Sequence, residues 1–511
     1  MNLKYDLLVI GGGINGTGIA ADAAGRGLKV LLCEKGDLAG STSSASSKLI
    51  HGGLRYLEYY EFLLVRKALK EREILLAAAP HLIKPLPFHI PHLPHLRPRW
   101  MIRCGLFLYD FLARRIRVPG SRSIQFDQDS PLKDELKHGF EYWDAQVDDA
   151  RLVVANAYRA REKGATVLSY TECMALSCQT NGWQFDLKNH RDDSFSQHQA
   201  SVVINASGPW VSSFVNTVAS QSSAERASSQ QPRLQAKAQV RLVKGSHIVV
   251  NKLHLNNQAY LLQNEDNRVV FVIPYLQDYS LIGTTEAEFS GDPSEVSISA
   301  QETQYLLAIV NRFFKKQLSS QDIVHSFSGV RPLVEDEDVA TGENTNAGKV
   351  SRDYRLEWED SASPLLSIYG GKVTTYRILA EQAVDSLKSY FPKMSGPWTE
   401  ATALPGGEFQ NESQLLQQLT QHYPWMDKEI IERYSHSYGS LSAEVLAKAN
   451  SVVDLGRNFG HGLFQLEVDY LCDREWACST DDILWRRSKL GLCFTQTQVD
   501  ELQQYLQSRP S

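Results

Sequence analysis

YDLLVIGGGINGTGIAADAAGRGLKVLLCE, residues 5–34, reads as strand, turn, helix, strand. Leu7–Ile10 is a short apolar run that stops at glycine, as a buried parallel strand does. Gly11, Gly13 and Gly16 form G-x-G-x-x-G. Ile14–Arg26, rich in Ala and Gly, suits a helix packed closely on a sheet, and Leu28–Cys33 is a second apolar strand with Glu34 at its end. Gly11 permits the tight turn, Gly13 lets the backbone approach a pyrophosphate, and Gly16 lets helix and strand pack. Ile14 and Asn15 open the helix, whose unpaired N–H groups and positive dipole end favour phosphate. Glu34 stands where an acid grips ribose hydroxyls. The register predicts a dinucleotide site; by itself it does not choose between NAD and FAD.

At 511 residues the chain can hold two or three domains, and 42% hydrophobic with 22% charged residues is ordinary for a soluble globular protein. A net charge of −6 argues against a generic nucleic-acid binder. Seven scattered cysteines without C-x-x-C predict reduced thiols and no zinc site. The glycine turn starts at residue 11, which leaves no room for a signal peptide before it, and no apolar run approaches the ~18 residues of a bilayer span. Any membrane contact is therefore expected to be peripheral.

The serine loop Ser41–Ser47 follows the Glu34 strand directly. Thr42, Ser43, Ser44 and Ser47, with Lys48, Leu49 and Gly53 after them, are candidates to touch the rest of a dinucleotide. His51, Arg55 and Tyr56 cluster beside a Gly-Gly pair; on residue type alone an exposed arginine is the simpler reading. Glu61–Ala79 predicts a helix stopped by Pro80, and the prolines after it exclude a helix through 81–99. His92 and His95 lack the scaffold of a metal pair. Arg97–Arg117 holds six arginines and one acid around Trp100, Phe107 and Phe111, which suits either an interfacial helix or a core helix with basic ends. Asp148 and Asp149 are expected to cap a helix.

Residues 165–176 and 183–187 predict strands, 189–200 a polar hairpin loop, and Ser201–Ile204 a strand ending at Ala206, Ser207 and Gly208 beside the cofactor. Residues 219–238 suggest a connector, 241–283 an antiparallel sheet, 301–314 a helix and 335–346 an acidic loop. Leu365–Arg377 is strand, Gly-Gly turn, helix; Gly370, Gly371, Lys372, Val373 and Thr374 form either a plain turn or an anion-facing one. The stretch 411–511 has helical spacing, with helix starts expected at Ser479 and Thr497.

Together GGGINGTGIAADAAGRG, TSSASSKLIHGGLRYLE, DDARL, INASGPWV, KGSHIVV, FVIPY, IGTTE, SGVRPL and GGKVTTYR resemble the FAD-dependent glycerol-3-phosphate dehydrogenases of the aerobic, respiratory kind, within the amino-acid-oxidase-like flavoproteins. The resemblance implies an α/β architecture. A Rossmann-like FAD-binding domain would be assembled from 1–80, 146–215 and 350–395. An antiparallel β-rich substrate domain would span 240–335, a substrate- or membrane-facing segment 81–145, and an all-helical C-terminal domain 408–511. It implies oxidation of sn-glycerol 3-phosphate to dihydroxyacetone phosphate, with electrons passing to membrane quinone from a peripheral seat on the cytoplasmic side of the inner membrane. Arg55 and Arg331 then match phosphate-holding positions, Tyr56 encloses the phosphate, and His247, with His51 the weaker candidate, takes the hydroxyl proton. Lys372 lies by the flavin pyrimidine edge. A Gln at 247 is expected to flatten the acidic limb of the pH–rate profile. Packing, homodimer formation and membrane positioning are all open roles for the C-terminal domain. Rival readings are an oxygen-using glycerol-phosphate oxidase, an amine or amino-acid oxidase, and a non-catalytic flavin-binding membrane-associated redox protein.

Overall fold

Five parallel strands explain why the opening residues are almost wholly apolar. In the computed structural model, which describes residues 3–93, 97–221, 234–266, 268–334 and 353–509, the strand Lys4–Ile10 lies between Val30–Cys33 and Phe195–Asn205, parallel to both. Thr166–Leu168 extends one side; Leu365–Tyr369, then antiparallel Arg355–Trp358, extend the other. A strand covered on both faces needs side chains that lose nothing by leaving water; Leu7, Leu8 and Val9 are fully buried. The helix Ile14–Gly25 has ten buried residues. It packs beneath the helices Asp149–Glu162 and Tyr376–Asp385, and a Cβ on Gly18 would stand 2.9 Å from the Tyr376 ring.

The predicted hairpin loop at 189–200 is a correction. Phe195–Asn205 is one long strand, whose polar first half pairs antiparallel with Gly182–Asn189 from Phe195↔Lys188 to Ala200↔Trp183. Backbone pairing needs no apolar side chains where the sheet face is wet, so hydropathy concealed it.

The second sheet is mostly antiparallel. Val240–Asn251 pairs with Ile323–Val334 and Tyr279–Gly283, and the sheet continues through Val269–Tyr275 and Ala259–Gln263 to Ile83–Pro91 and His138–Val147. Ile83–Pro91 is a strand despite Pro85 and Pro87. Those two share one parity, so both missing N–H groups fall on the same edge, where Ala259–Gln263 pairs only at Phe88 and His89. Along Val240–Asn251 the two-residue period separates the faces. Ile248 and Val250 pack beneath the helix Ala300–Phe313 with Leu306, Val310 and Phe313. Gly245 and His247 turn the other way, toward the first sheet.

The C-terminal region has its own apolar cluster around Leu419, Tyr438, Phe459, Leu471 and Leu502. Its last helix, Gln496–Ser508, starts at Thr495 through a reciprocal cap with Gln498, and not at Thr497. Residues 222–233 of the expected connector at 219–238, the acidic loop at 335–346 and His95 lie outside the described residues, while 219–221 end the helix Val211–Gln221.

Candidate active site

The turn after the first strand is shaped by contacts that exclude side chains. Gly11 has φ +111°, and a Cβ there would stand 2.5 Å from Ala206 O; a Cβ on Gly16 would stand 1.9 Å from Gly11 O. Gly16 therefore packs helix against strand and does not line the cavity. The Glu34 carboxylate accepts Gly12 N–H at 2.7 Å and Gly36 N–H at 2.9 Å. Burial pushes its pKa up, and these two bonds oppose that shift. Each oxygen keeps a lone pair for a ribose hydroxyl. The Ile14 N–H donates to Ser43 Oγ at 3.0 Å, and Asn15 Nδ2 donates to Gly370 O at 3.1 Å, tying the helix start to the Gly-Gly turn.

A cavity of 560 Å³ runs from this turn to the second sheet. Gly11, Gly13, Ile14, Asn15, Glu34, Thr42, Ser43, Ser47, Leu49 and Gly53 all line it. So do Ala206, Ser207, Gly208, Gly371, Val373 and Thr374. Ser44 and Lys48 do not. Lys48 is buried and donates to Asp149 at 2.8 Å and to Ser44 O at 2.9 Å, so it braces the serine loop from behind. Asp149 also accepts from Ser46 Oγ at 2.7 Å and from the first-turn Ala150 N–H at 2.9 Å, while Asp148 caps the helix, accepting Arg151 N–H at 3.0 Å. Both acids thus accept N–H groups of the first turn, as expected, and Asp149 is in addition the buried counter-ion of Lys48.

The far end gathers the six side chains singled out for catalysis: His51, Arg55, Tyr56, His247, Arg331 and Lys372. Arg55 and Tyr56 ride on the short helix Leu54–Tyr59, whose entry requires Gly53 at φ +73°. The His51 N–H donates to Thr374 Oγ1 at 3.3 Å, and Lys372 Nζ lies 4.3 Å over the Tyr56 ring. Opposite, Val243↔Arg331, Gly245↔Gly329 and His247↔Phe327 are facing pairs of neighbouring strands. The two glycines admit close neighbours between Arg331 and the His247–Phe327 stack: a Cβ on Gly245 would stand 2.6 Å from Thr284 Oγ1 and one on Gly329 2.9 Å from Ala45, and the ring centroids of the stack are 5.0 Å apart. His247 Nε2 is 2.9 Å from Ser47 Oγ, and Nδ1 has no partner among the described residues. Burial first, then the Lys48 and Arg331 charges, hold its pKa down to about 3, so the imidazole is neutral. Arg331 stands 3.8 Å from Glu286.

This architecture fits a flavin dinucleotide. The glycine cradle has no room for a Cβ, and the buried Asn15 Oδ1 lacks a hydrogen-bond partner among the described residues. One continuous cavity joins the Gly11 and Glu34 end to the residues around His247 and Arg331.

Residues 6–377 match the family described as FAD dependent oxidoreductase, and residues 397–507 match the C-terminal domain of alpha-glycerophosphate oxidase. A glycerol-3-phosphate dehydrogenase of Pseudomonas aeruginosa is 52% identical over 99% of this chain and 95% of its own length. The chain belongs to the FAD-dependent glycerol-3-phosphate dehydrogenases. The aerobic glycerol-3-phosphate dehydrogenase of Escherichia coli K12 is 47% identical over 98% of this chain and 97% of its own. Among solved structures, the glycerol-3-phosphate dehydrogenase of Bacillus halodurans complexed with FAD superposes with a TM-score of 0.73 at 26% identity, covering 99% of this chain and 94% of that one. The cofactor of this dehydrogenase family is FAD.

Sequence reasoning missed several walls of the cavity. Thr171–Cys173 and Trp210 flank the nucleotide end; Phe271, Thr284 and Glu286 line the chamber. Thr171 follows a strand end that only sheet order places beside Glu34, where its N–H donates to Glu34 O at 2.7 Å. The IGTTE stretch was the one available signal for Thr284 and Glu286.

Proposed function

We propose that the protein oxidises sn-glycerol 3-phosphate at C2 to dihydroxyacetone phosphate and delivers the electrons to a membrane quinone. The observation that carries this reading is that Arg55, Arg331 and the neutral imidazole of His247 line one cavity with the glycine turn. Arginine's planar fork suits phosphate oxygens, and two of them on opposite walls fix the substrate's long axis. Tyr56 closes over the phosphate. His247 accepts the C2 hydroxyl proton as the C2–H bond breaks and its electron pair leaves with the hydrogen; the alcohol carbon becomes a ketone. Bound FAD supplies the acceptor for that hydride. Lys372 sets a cation at the pyrimidine edge, where negative charge develops.

A peripheral membrane seat is supported by the helix Arg99–Phe111. Trp100, Phe107 and Phe111 are 67, 56 and 65% exposed, and Tyr60 and Leu63 beside it are each 81% exposed. Large apolar side chains rimmed by arginines suit an anionic bilayer surface. Among the described residues no helix is long and apolar enough to cross a membrane.

The test is an anaerobic titration with glycerol 3-phosphate. The expected result is bleaching of the flavin colour with one dihydroxyacetone phosphate formed per flavin, followed by recovery on adding a soluble quinone. No bleaching would sink the reading; recovery by oxygen with stoichiometric peroxide, and none with quinone, would make the protein an oxidase.

A further inference from the structure

The exposed helix is joined to the active-site turn through the hydroxyl of Tyr109. Tyr109 stands on the inner face of Arg99–Phe111 and is 2% exposed. Its hydroxyl lies 2.8 Å from both carboxylate oxygens of Asp144 and accepts the Gly52 N–H at 2.9 Å. Arg72 donates to the same carboxylate at 2.8 Å and to Trp143 O at 2.8 Å. All three side chains are buried. Burial, with the Asp144 charge behind it, pushes the Tyr109 phenol well above its usual pKa, so the hydroxyl keeps its proton. Because Asp144 can only accept, that proton points at Asp144 and an oxygen lone pair is left for Gly52. Glu73, bonded to Arg72, accepts the N–H groups of Ile116 and Arg117 at 3.2 and 2.9 Å, which fixes the chain leaving the helix to the same cluster.

Gly52 sits between His51 and the turn that presents Arg55 and Tyr56. A Cβ at Gly52 would stand 2.6 Å from the Tyr109 hydroxyl and 2.6 Å from Leu69, so the turn is seated against this tyrosine with no slack. Without the hydroxyl, the Gly52 N–H keeps among the described residues Asp144 Oδ1 at 3.4 Å. We propose that Tyr109 is a positioning residue for substrate binding: it holds Gly52, and through it the Arg55 turn, at the height that meets the substrate phosphate. The proposal rests on the phosphate reading of Arg55. It makes the surface helix and the substrate turn one mechanical unit.

Tyr109→Phe removes one oxygen and keeps the ring that packs against Tyr142. A hydrogen bond to a charged network contributes enough to move binding by on the order of tenfold. The KM for glycerol 3-phosphate is expected to rise about tenfold, which is about 1.4 kcal/mol. The inhibition constant for inorganic phosphate should rise by the same factor. Flavin content and the anaerobic reduction rate at saturating substrate should stay within about twofold. Asp144→Asn, which keeps shape and weakens the same tether, should move KM in the same direction. A KM and a phosphate inhibition constant both within twofold of wild type in Tyr109→Phe, whatever its thermal midpoint, overturn the proposal. Loss of turnover rate at unchanged KM does so too. If Arg55→Ala leaves KM unchanged while Tyr109→Phe raises it, the phosphate reading of Arg55 fails and the positioning of the turn stands.

Discussion

Arg487 and Asp37, 450 residues apart, form a fully buried bidentate pair: the two guanidinium Nη atoms donate to the two carboxylate oxygens at 2.8 and 2.7 Å. Asp37 lies three residues beyond Glu34, and its carboxylate also accepts from Arg486. Nearby, Arg151 pairs with Glu475 and Lys489 with Asp148. The C-terminal helices are thus bolted onto the loop that follows Glu34 and onto the start of the helix Asp149–Glu162. Arg487→Ala strands the Asp37 charge without its main partner, at a cost of about 3–5 kcal/mol. Urea unfolding should show that loss. Equilibrium dialysis should show faster FAD release, because the Glu34–Asp37 loop loosens with it; unaltered retention would mean the clamp serves folding alone.

The two chamber arginines should act on substrate and not on cofactor. Arg55→Ala or Arg331→Ala is expected to lower kcat/KM by about 10- to 100-fold, the worth of a charge-assisted hydrogen bond of about 1.5–3 kcal/mol. Flavin content should be unchanged. Stopped-flow reduction across a substrate series checks this, and wild-type kinetics in both variants would refute the phosphate assignment.

His247→Gln tests the base. Loss of a positioned general base lowers the reduction rate by about 10²–10⁴-fold. The pH criterion changes in light of the structure: a ring held down to about 3 does not titrate between pH 5 and 8. The acidic limb expected from an ordinary histidine therefore belongs below about pH 4, and the diagnostic is the rate. Near-wild-type reduction at neutral pH would move the role to His51.

His81 gives a pH-dependent stability term away from the chamber. It is buried against Gly406 and Gly439, and burial first, then Arg151 and Lys84, hold its pKa down to about 3 from 6.5. The folded state binds this proton less readily than the unfolded chain. The contribution is thus complete above pH 6.5 and is lost as pH falls toward 3, at about 1.4 kcal/mol per pH unit. Between pH 7.5 and 5, His81→Gln should lose about 2 kcal/mol less than wild type does. Parallel denaturation curves for the two proteins at both pH values would contradict this.

Replacing Trp100, Phe107 and Phe111 together with Ser should abolish co-sedimentation with phosphatidylglycerol vesicles. Each side chain contributes about 1.5–3 kcal/mol when buried. Anaerobic flavin reduction should persist, since none of the three lines the chamber. Retained vesicle binding would place the docking face elsewhere.

Much of this was readable in order along the chain. The glycine turn, the Glu34 strand end and the helix Arg99–Phe111 announce themselves by period and composition, because each is built from near neighbours whose backbone needs are local. Lys48 shows the opposite case. Its place among serines and glycines suggests a contact with the dinucleotide, yet Asp149, a hundred residues on, buries its charge behind the loop. The strand at 195–200 was hidden likewise, since what stabilises it is a partner strand and not its own side chains.

The amino-acid sequence alone determined the dinucleotide cradle, the parallel strands around it and the alternation that turns His247 to one face of its strand, because those depend on short-range sterics and two- or 3.6-residue periods. Only the tertiary structure decided that Arg55, His247, Arg331 and Lys372 share a chamber, that Tyr109 holds Gly52, and that Arg487 closes on Asp37. Those meetings depend on sheet order and long-range packing, which bring together residues hundreds of positions apart and leave no local signal at either partner.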